Sequence, residues 1–192
     1  MTPHDGAVAL LRSWHAPSEE QEGLRAEYVG HLEAHPDGLL RSCRPDHITA
    51  STLVMDPSGT QVLLTLHAKA QEWFQFGGHI EPDDAGVAEA ALREVSEESG
   101  LAGLSLDPSP LHLDTHEVPF CRGAATGDDR VTRHLDVRFL AVAPAGARPV
   151  VSEESADVRW WPVDALPTDE ASLRALVDLG RERLAVAGGL VL

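Results

Sequence analysis

A chain of 192 residues with 43% hydrophobic content can bury a core of its own and is sized for one globular unit. A formal charge of −16 disfavours duplex nucleic acid as a partner, because phosphate backbones are bound by basic surfaces. The two cysteines, Cys43 and Cys121, are too few and too far apart for a disulfide framework or a CxxC metal pair. The N-terminal apolar run is short for a leader or a membrane span, so a cytoplasmic setting without membrane attachment is expected.

Residues 5–44 read as helical: a short segment from Ala7 to Trp14, then Ser18 to His35, opened by Ser18 with Gln21 in the manner of a capping box and ended at Pro36, Asp37 and Gly38. From His47 the period becomes that of a strand. Ile48 to Met55 and Gln61 to His67 read as a hairpin across Asp56-Pro57-Ser58-Gly59. A third strand, Glu72 to Phe76, leads into Gly77 and Gly78 and a loop ending at Asp84, which reads as the N-cap of a helix from about Ala85 to Ser99. Its buried stripe is Val87, Ala91, Leu92 and Val95, and Gly100 caps its C-terminus.

Leu104 to Leu113, His116 to Phe120 and Val131 to Val142 follow as strands, with a loop over Cys121 to Arg130. Val158 to Trp161 is a further short strand. After Pro167, Asp169 is placed to cap a last helix reaching about Ala187. The pattern is that of an α/β (α+β) sandwich with a mixed sheet and helices on both faces, divided into an N-terminal helical extension, residues 1–45, and a main domain, residues 46–192.

The chemistry concentrates between Gly77 and Leu101, GGHIEPDDAGVAEAALREVSEESGL. Helix positions three and four apart share a face, so Glu94, Glu97 and Glu98 crowd their carboxylates together, off the apolar stripe and with only Arg93 for relief. An acidic helix patch alone is commonly just solvated surface. Without interspersed lysine or arginine, this one wants a divalent cation.

With those residues in place, the stretch resembles the Nudix box, G-x5-E-x7-R-E-U-x-E-E-x-G-U, where U is aliphatic. Gly78, Arg93, Glu94, Val95, Glu97, Glu98, Gly100 and Leu101 fit. The sequence departs at the first acid, where Asp84 stands for Glu and eight residues rather than seven precede Arg93. The resemblance covers His47 to Leu166. It implies a Nudix-type α/β/α sandwich and a hydrolase cleaving a diphosphate bond in a nucleoside diphosphate linked to another moiety. It implies Mg²⁺ or Mn²⁺ held by Glu94, Glu97, Glu98 and the carbonyl of Gly77, with Arg93 holding a glutamate in position. For the general base it points to Glu94, then Glu97. Outside the box it points to Glu154, where a similar enzyme places an extra metal-binding glutamate, with Glu153 as the fallback.

Ten histidines raise a zinc alternative, His112, His116 and His134 with Asp136 converging from neighbouring strands, beside the plainer reading of polar cavity lining. His79, next to Gly78, is placed to touch a substrate phosphate, and His134 to face the same cleft. Trp73, Phe74 and Phe76, or Trp160 and Trp161, are candidates to stack a nucleobase, although strand alternation buries one of each adjacent pair. Isopentenyl diphosphate isomerases resemble the same box but need a histidine-rich metal site and a cysteine motif that is missing here. A third reading is a nucleotide-sensing module. Residues 1–44 are left to cap the cleft, cover the sheet or form a homodimer surface.

Overall fold

The computed structural model describes residues 1–118, 131–151 and 155–188. Helices α1 (Pro3–Ser13) and α2 (Glu19–Ala34) precede strands β1 (His47–Met55), β2 (Gln61–His67), β3 (Trp73–Phe74) and β4 (Phe76–His79). Helix α3 (Val87–Ser99) is followed by β5 (Ser105–Glu117), β6 (Arg133–Val142), β7 (Ser155–Pro162) and helix α4 (Ala171–Gly188). None of the described helices is long and apolar enough to cross a membrane.

The strands form one mixed seven-stranded sheet in the order β3-β2-β1-β6-β5, with β4 on β1 and β7 on β2. Strand β1, HITASTLVM, is buried along its whole length, as suits a central strand covered on both faces. It runs parallel to β6 from His47↔His134 to Met55↔Val142. Its opposite edge is shared antiparallel by β4, from Thr49↔His79 to Thr52↔Phe76, and by β2 at Val54↔Leu63. The β1–β2 reversal is the expected one: the Asp56 carboxylate accepts the backbone N–H groups of Ser58, Thr60 and Gln61, and Gly59 takes a φ of 67°.

Helices cover both faces. Ala7 and Leu11 of α1 with Trp14 at its C-cap, Tyr28 and Leu32 of α2, and Val87, Ala90 and Ala91 of α3 pack with Ile48, Ala50, Leu135, Val137 and Phe139. On the other face, Leu173, Leu176 and Val177 of α4 pack with Leu53, Met55, Val62 and Leu64. The N-terminal helices therefore cover the sheet and share a core with it. Tyr28, fully buried, donates from its hydroxyl to the Asp114 carbonyl at 2.7 Å.

Several boundaries differ from the sequence reading. The segment Glu72 to Phe76 is two short strands, and the second continues through Gly77 and Gly78 to His79 because both glycines lie in the β1 ladder. Ser105 to Leu113 and His116 to Glu117 belong to one strand, β5, whose register shifts between Asp107 and His112, where Pro108 and Pro110 have no N–H to donate. Ser18 caps α2 by accepting from Gln21 N, but the Gln21 side chain does not close a capping box. It reaches β5 instead, donating to the Leu113 carbonyl at 2.9 Å and accepting the Leu113 N–H at 2.7 Å. At the start of α4, Glu170 rather than Asp169 accepts the free N–H groups, those of Ser172 and Leu173, while Asp169 pairs with Arg174.

Candidate functional site

Strand β4 delivers two glycines to places where a side chain would collide. A Cβ on Gly77 would stand 2.4 Å from the Ser51 Cβ, and one on Gly78 would stand 2.7 Å from the Glu94 carboxylate. Backbone and carboxylate can approach only because these positions are bare.

Helix α3 begins at Val87 with Gly86 at its N-cap position and no side-chain cap, so Asp84 does not cap it. Arg93 takes Asp84 instead: Nε donates to Oδ1 and Nη2 to Oδ2, both at 2.9 Å, and the Glu81 N–H donates to Oδ2 at 2.8 Å. The extra residue of the sequence pattern is absorbed before the helix starts, and the shorter acid still meets the arginine. Arg93 Nη2 also donates to the His79 carbonyl at 3.0 Å, and Nη1 donates to Glu94 at 3.0 Å and Glu97 at 3.2 Å. The guanidinium hydrogen bonds hold Asp84 below the usual carboxylate range, and that same pairing raises Arg93 further above its own.

Glu98 turns to the other glycine, accepting the Gly77 N–H at 3.4 Å. The Glu94 side chain is 16% exposed and that of Glu97 63%, so the acids grade from a sheltered position to an open one. Carboxylate oxygens beside a loop-end backbone are the donors a hard divalent cation takes, and the bare Gly78 keeps Glu94 against the strand. The chemistry of these donors suits a hard cation such as Mg²⁺ or Mn²⁺. Glu154 and Glu153 lie outside the described residues.

A second polar group lies on one face of the sheet. Register places His47, His134 and His116 in one row, Thr49, His79, Asp136 and Asp114 in the next, and Ser51, Gly77, Arg138 and His112 beyond. Of the expected set, His116 meets the His134 ring edge to face at 5.5 Å, whereas His112 and Asp136 are held by other partners. His112 meets the Gln21 amide, His116 pairs with Asp114 at 3.0 Å, and Asp136 accepts from Thr49, Ser51 and Arg138. His134 is met by His47 and His79, with the three ring centroids 5.0–5.2 Å apart. Burial lowers the pKa of His47 and of His79 to about 4 and that of His134 to about 3, so all three rings are neutral near pH 7. The sequence reading had not singled out His47.

Phe76 faces the core. Its ring is fully buried among Val54, Leu63 and Val95, so the alternation of the strand gives it to the core. Trp73 is half-buried and meets Trp161 edge to face at 5.2 Å.

The family model of the NUDIX domain matches residues 45–179. No curated protein matches the chain. Among solved structures, the E. coli dihydroneopterin triphosphate pyrophosphohydrolase superposes with a TM-score of 0.58 at 19% identity, over 73% of this chain and 97% of the other. The NUDIX domain of Shewanella oneidensis NrtR complexed with ADP ribose gives 0.54 at 19% identity, over 83% and 97%. A C. elegans Ap4A hydrolase binary complex gives 0.53 at 20% identity, over 73% and 98%. At these identities the likeness is one of fold.

Proposed function

The chain belongs to the Nudix hydrolase family, and from that premise we propose that it is a Mg²⁺- or Mn²⁺-dependent hydrolase cleaving a diphosphate bond in a nucleoside diphosphate linked to another moiety. One observation carries the reading: a single guanidinium, that of Arg93, gathers Asp84, Glu94, Glu97 and the His79 carbonyl at the end of a glycine strand. Structural neighbours named for dihydroneopterin triphosphate, Ap4A and ADP ribose support the substrate class.

Glu94, Glu97 and Glu98, with the Gly77 carbonyl, are the groups to hold the ion. When bound, the ion neutralises charge on the diphosphate and lowers the pKa of an attacking water. Arg93 fixes the glutamates in orientation, so their geometry is set before substrate arrives. Glu94 is the first choice to take the water's proton, because it is more sheltered than Glu97 yet held by the same Nη1. Glu97 is the next choice, and Glu154 the candidate from outside the box. His79, His134 and Trp73 are the candidate groups on the substrate side.

The test is release of phosphate-bearing products from a panel of nucleoside diphosphate derivatives with Mg²⁺, with isopentenyl diphosphate as a further arm. Wild type should turn over at least one nucleoside diphosphate derivative, and Glu97→Gln and Glu98→Gln should each lower the rate by about 10²–10³-fold, as loss of a charge-stabilising group does. Nucleotide binding without turnover across the panel would favour the sensing reading. Conversion of isopentenyl diphosphate alone would favour the isomerase reading.

A further inference from the structure

We propose that His47, His79 and His134 form a binding site for a zinc-class transition-metal ion, separate from the carboxylate site on α3. The three residues come from β1, β4 and β6, and their ligand nitrogens all lie within 4.8 Å of one another. Ligands about a tetrahedral ion with metal–nitrogen bonds of about 2.0–2.1 Å sit about 3.3 Å apart, so modest ring rotations close the set.

The hydrogen bonding already favours ligation. His47 is fully buried, and its Nδ1 faces the Cys43 carbonyl at 3.3 Å. A carbonyl only accepts, so Nδ1 carries the proton and Nε2 presents its lone pair. That Nε2 is buried and has no partner among the described residues, and the same holds for Nε2 of His134. Two buried, unpartnered ring nitrogens on imidazoles whose centroids lie 5.0 Å apart are costly unless something electrophilic joins them. A backbone carbonyl on the far nitrogen is the usual outer support of a metal-bound histidine.

Imidazole selects Zn²⁺, Cu²⁺, Ni²⁺ or Fe²⁺ over the hard cations that suit carboxylates, so the two sites call for different ions. A second set of nearby donors among the described residues, His35, Asp37 and Cys43, is less suited: burial raises the Cys43 thiol to about 11, away from the thiolate a metal requires. An ion on the three histidines would tie β1, β4 and β6 together at the residue whose carbonyl receives Arg93. It leaves a fourth position to water or to a substrate atom.

The experiment strips the full-length protein with a chelator, adds back Zn²⁺ or Co²⁺, and measures bound metal, the visible absorption of Co²⁺ and the melting temperature. The expected result is one Zn²⁺ per chain, tetrahedral Co²⁺ absorption, and a melting temperature that rises with free Zn²⁺. His134→Gln should weaken Zn²⁺ binding about 100-fold or more, whereas Glu98→Gln should retain it. Should His134→Gln fail to fold, wild-type Co²⁺ spectra decide: absence of tetrahedral absorption overturns the proposal. Equal Zn²⁺ binding by wild type and a folded His134→Gln also overturns it. Loss of Zn²⁺ in Glu98→Gln would mean that the ion sits on the carboxylates. None of these readouts depends on turnover, so failure here leaves the hydrolase reading standing.

Discussion

Asp84 shows how one side chain changes role between sequence and structure. A carboxylate just ahead of a helix reads as its cap, yet Asp84 is buried and pairs through both oxygens with Arg93, nine residues on. Charge-assisted pairing of this kind outcompetes a single N–H of the helix start. Asp84→Asn should lower stability by about 2 kcal/mol at pH 7, a drop in melting temperature of about 4–8 °C. Its pH dependence has a definite sign. The folded-state pKa of Asp84 lies below its ordinary value of about 3.9, so the stabilisation is complete above that value and is lost as pH falls through the folded pKa. The gap between wild type and Asp84→Asn, followed by thermal melts from pH 7 to pH 3, should therefore stay constant to about pH 4 and narrow below it. A gap that widens in acid would contradict the assignment.

At the scale of elements, the consequential contact is that of α2 with β5. Gln21 mimics a neighbouring strand, giving and receiving one hydrogen bond at Leu113, while Tyr28 anchors a carbonyl two turns later. Gln21→Leu leaves both Leu113 groups unpaired and should cost about 2–4 kcal/mol; Tyr28→Phe should cost about 1 kcal/mol. Chemical denaturation checks both, and a Gln21 variant as stable as wild type would dismiss the strand-like role. The periodicity of this chain made α3, β1, β2 and β6 legible, because their apolar spacing and turn residues are local signals. The Gly77 to Gly78 approach was visible as a pair of glycines, but the Ser51 wall behind it was not. His134 was noticed with its β5 neighbour His116, which it does meet, but His47 arrives through the parallel β1–β6 ladder, 87 positions away in sequence. Long-range register of that kind leaves no mark in local spacing.

At the scale of the molecule, residues 1–44 bury Tyr28 and Leu32 against Ile48, Leu113, Leu135 and Val137, even though the family match starts at residue 45. Deleting residues 1–44 should expose that apolar face and give a protein that aggregates or binds a hydrophobic dye, judged by light scattering and fluorescence. A truncated chain that stays monomeric and melts cooperatively would show the helices to be dispensable. The whole chain also carries a charge of −16, which sets the terms for any anionic substrate. An arginine has five N–H hydrogens, and Arg93 makes five hydrogen bonds, two to Asp84 and one each to His79, Glu94 and Glu97. A phosphate reaching this helix finds that guanidinium fully occupied, and can gain a bond from it only by displacing a carboxylate. Arg93 thus works as a joint in the scaffold, its charge committed to the carboxylates it holds.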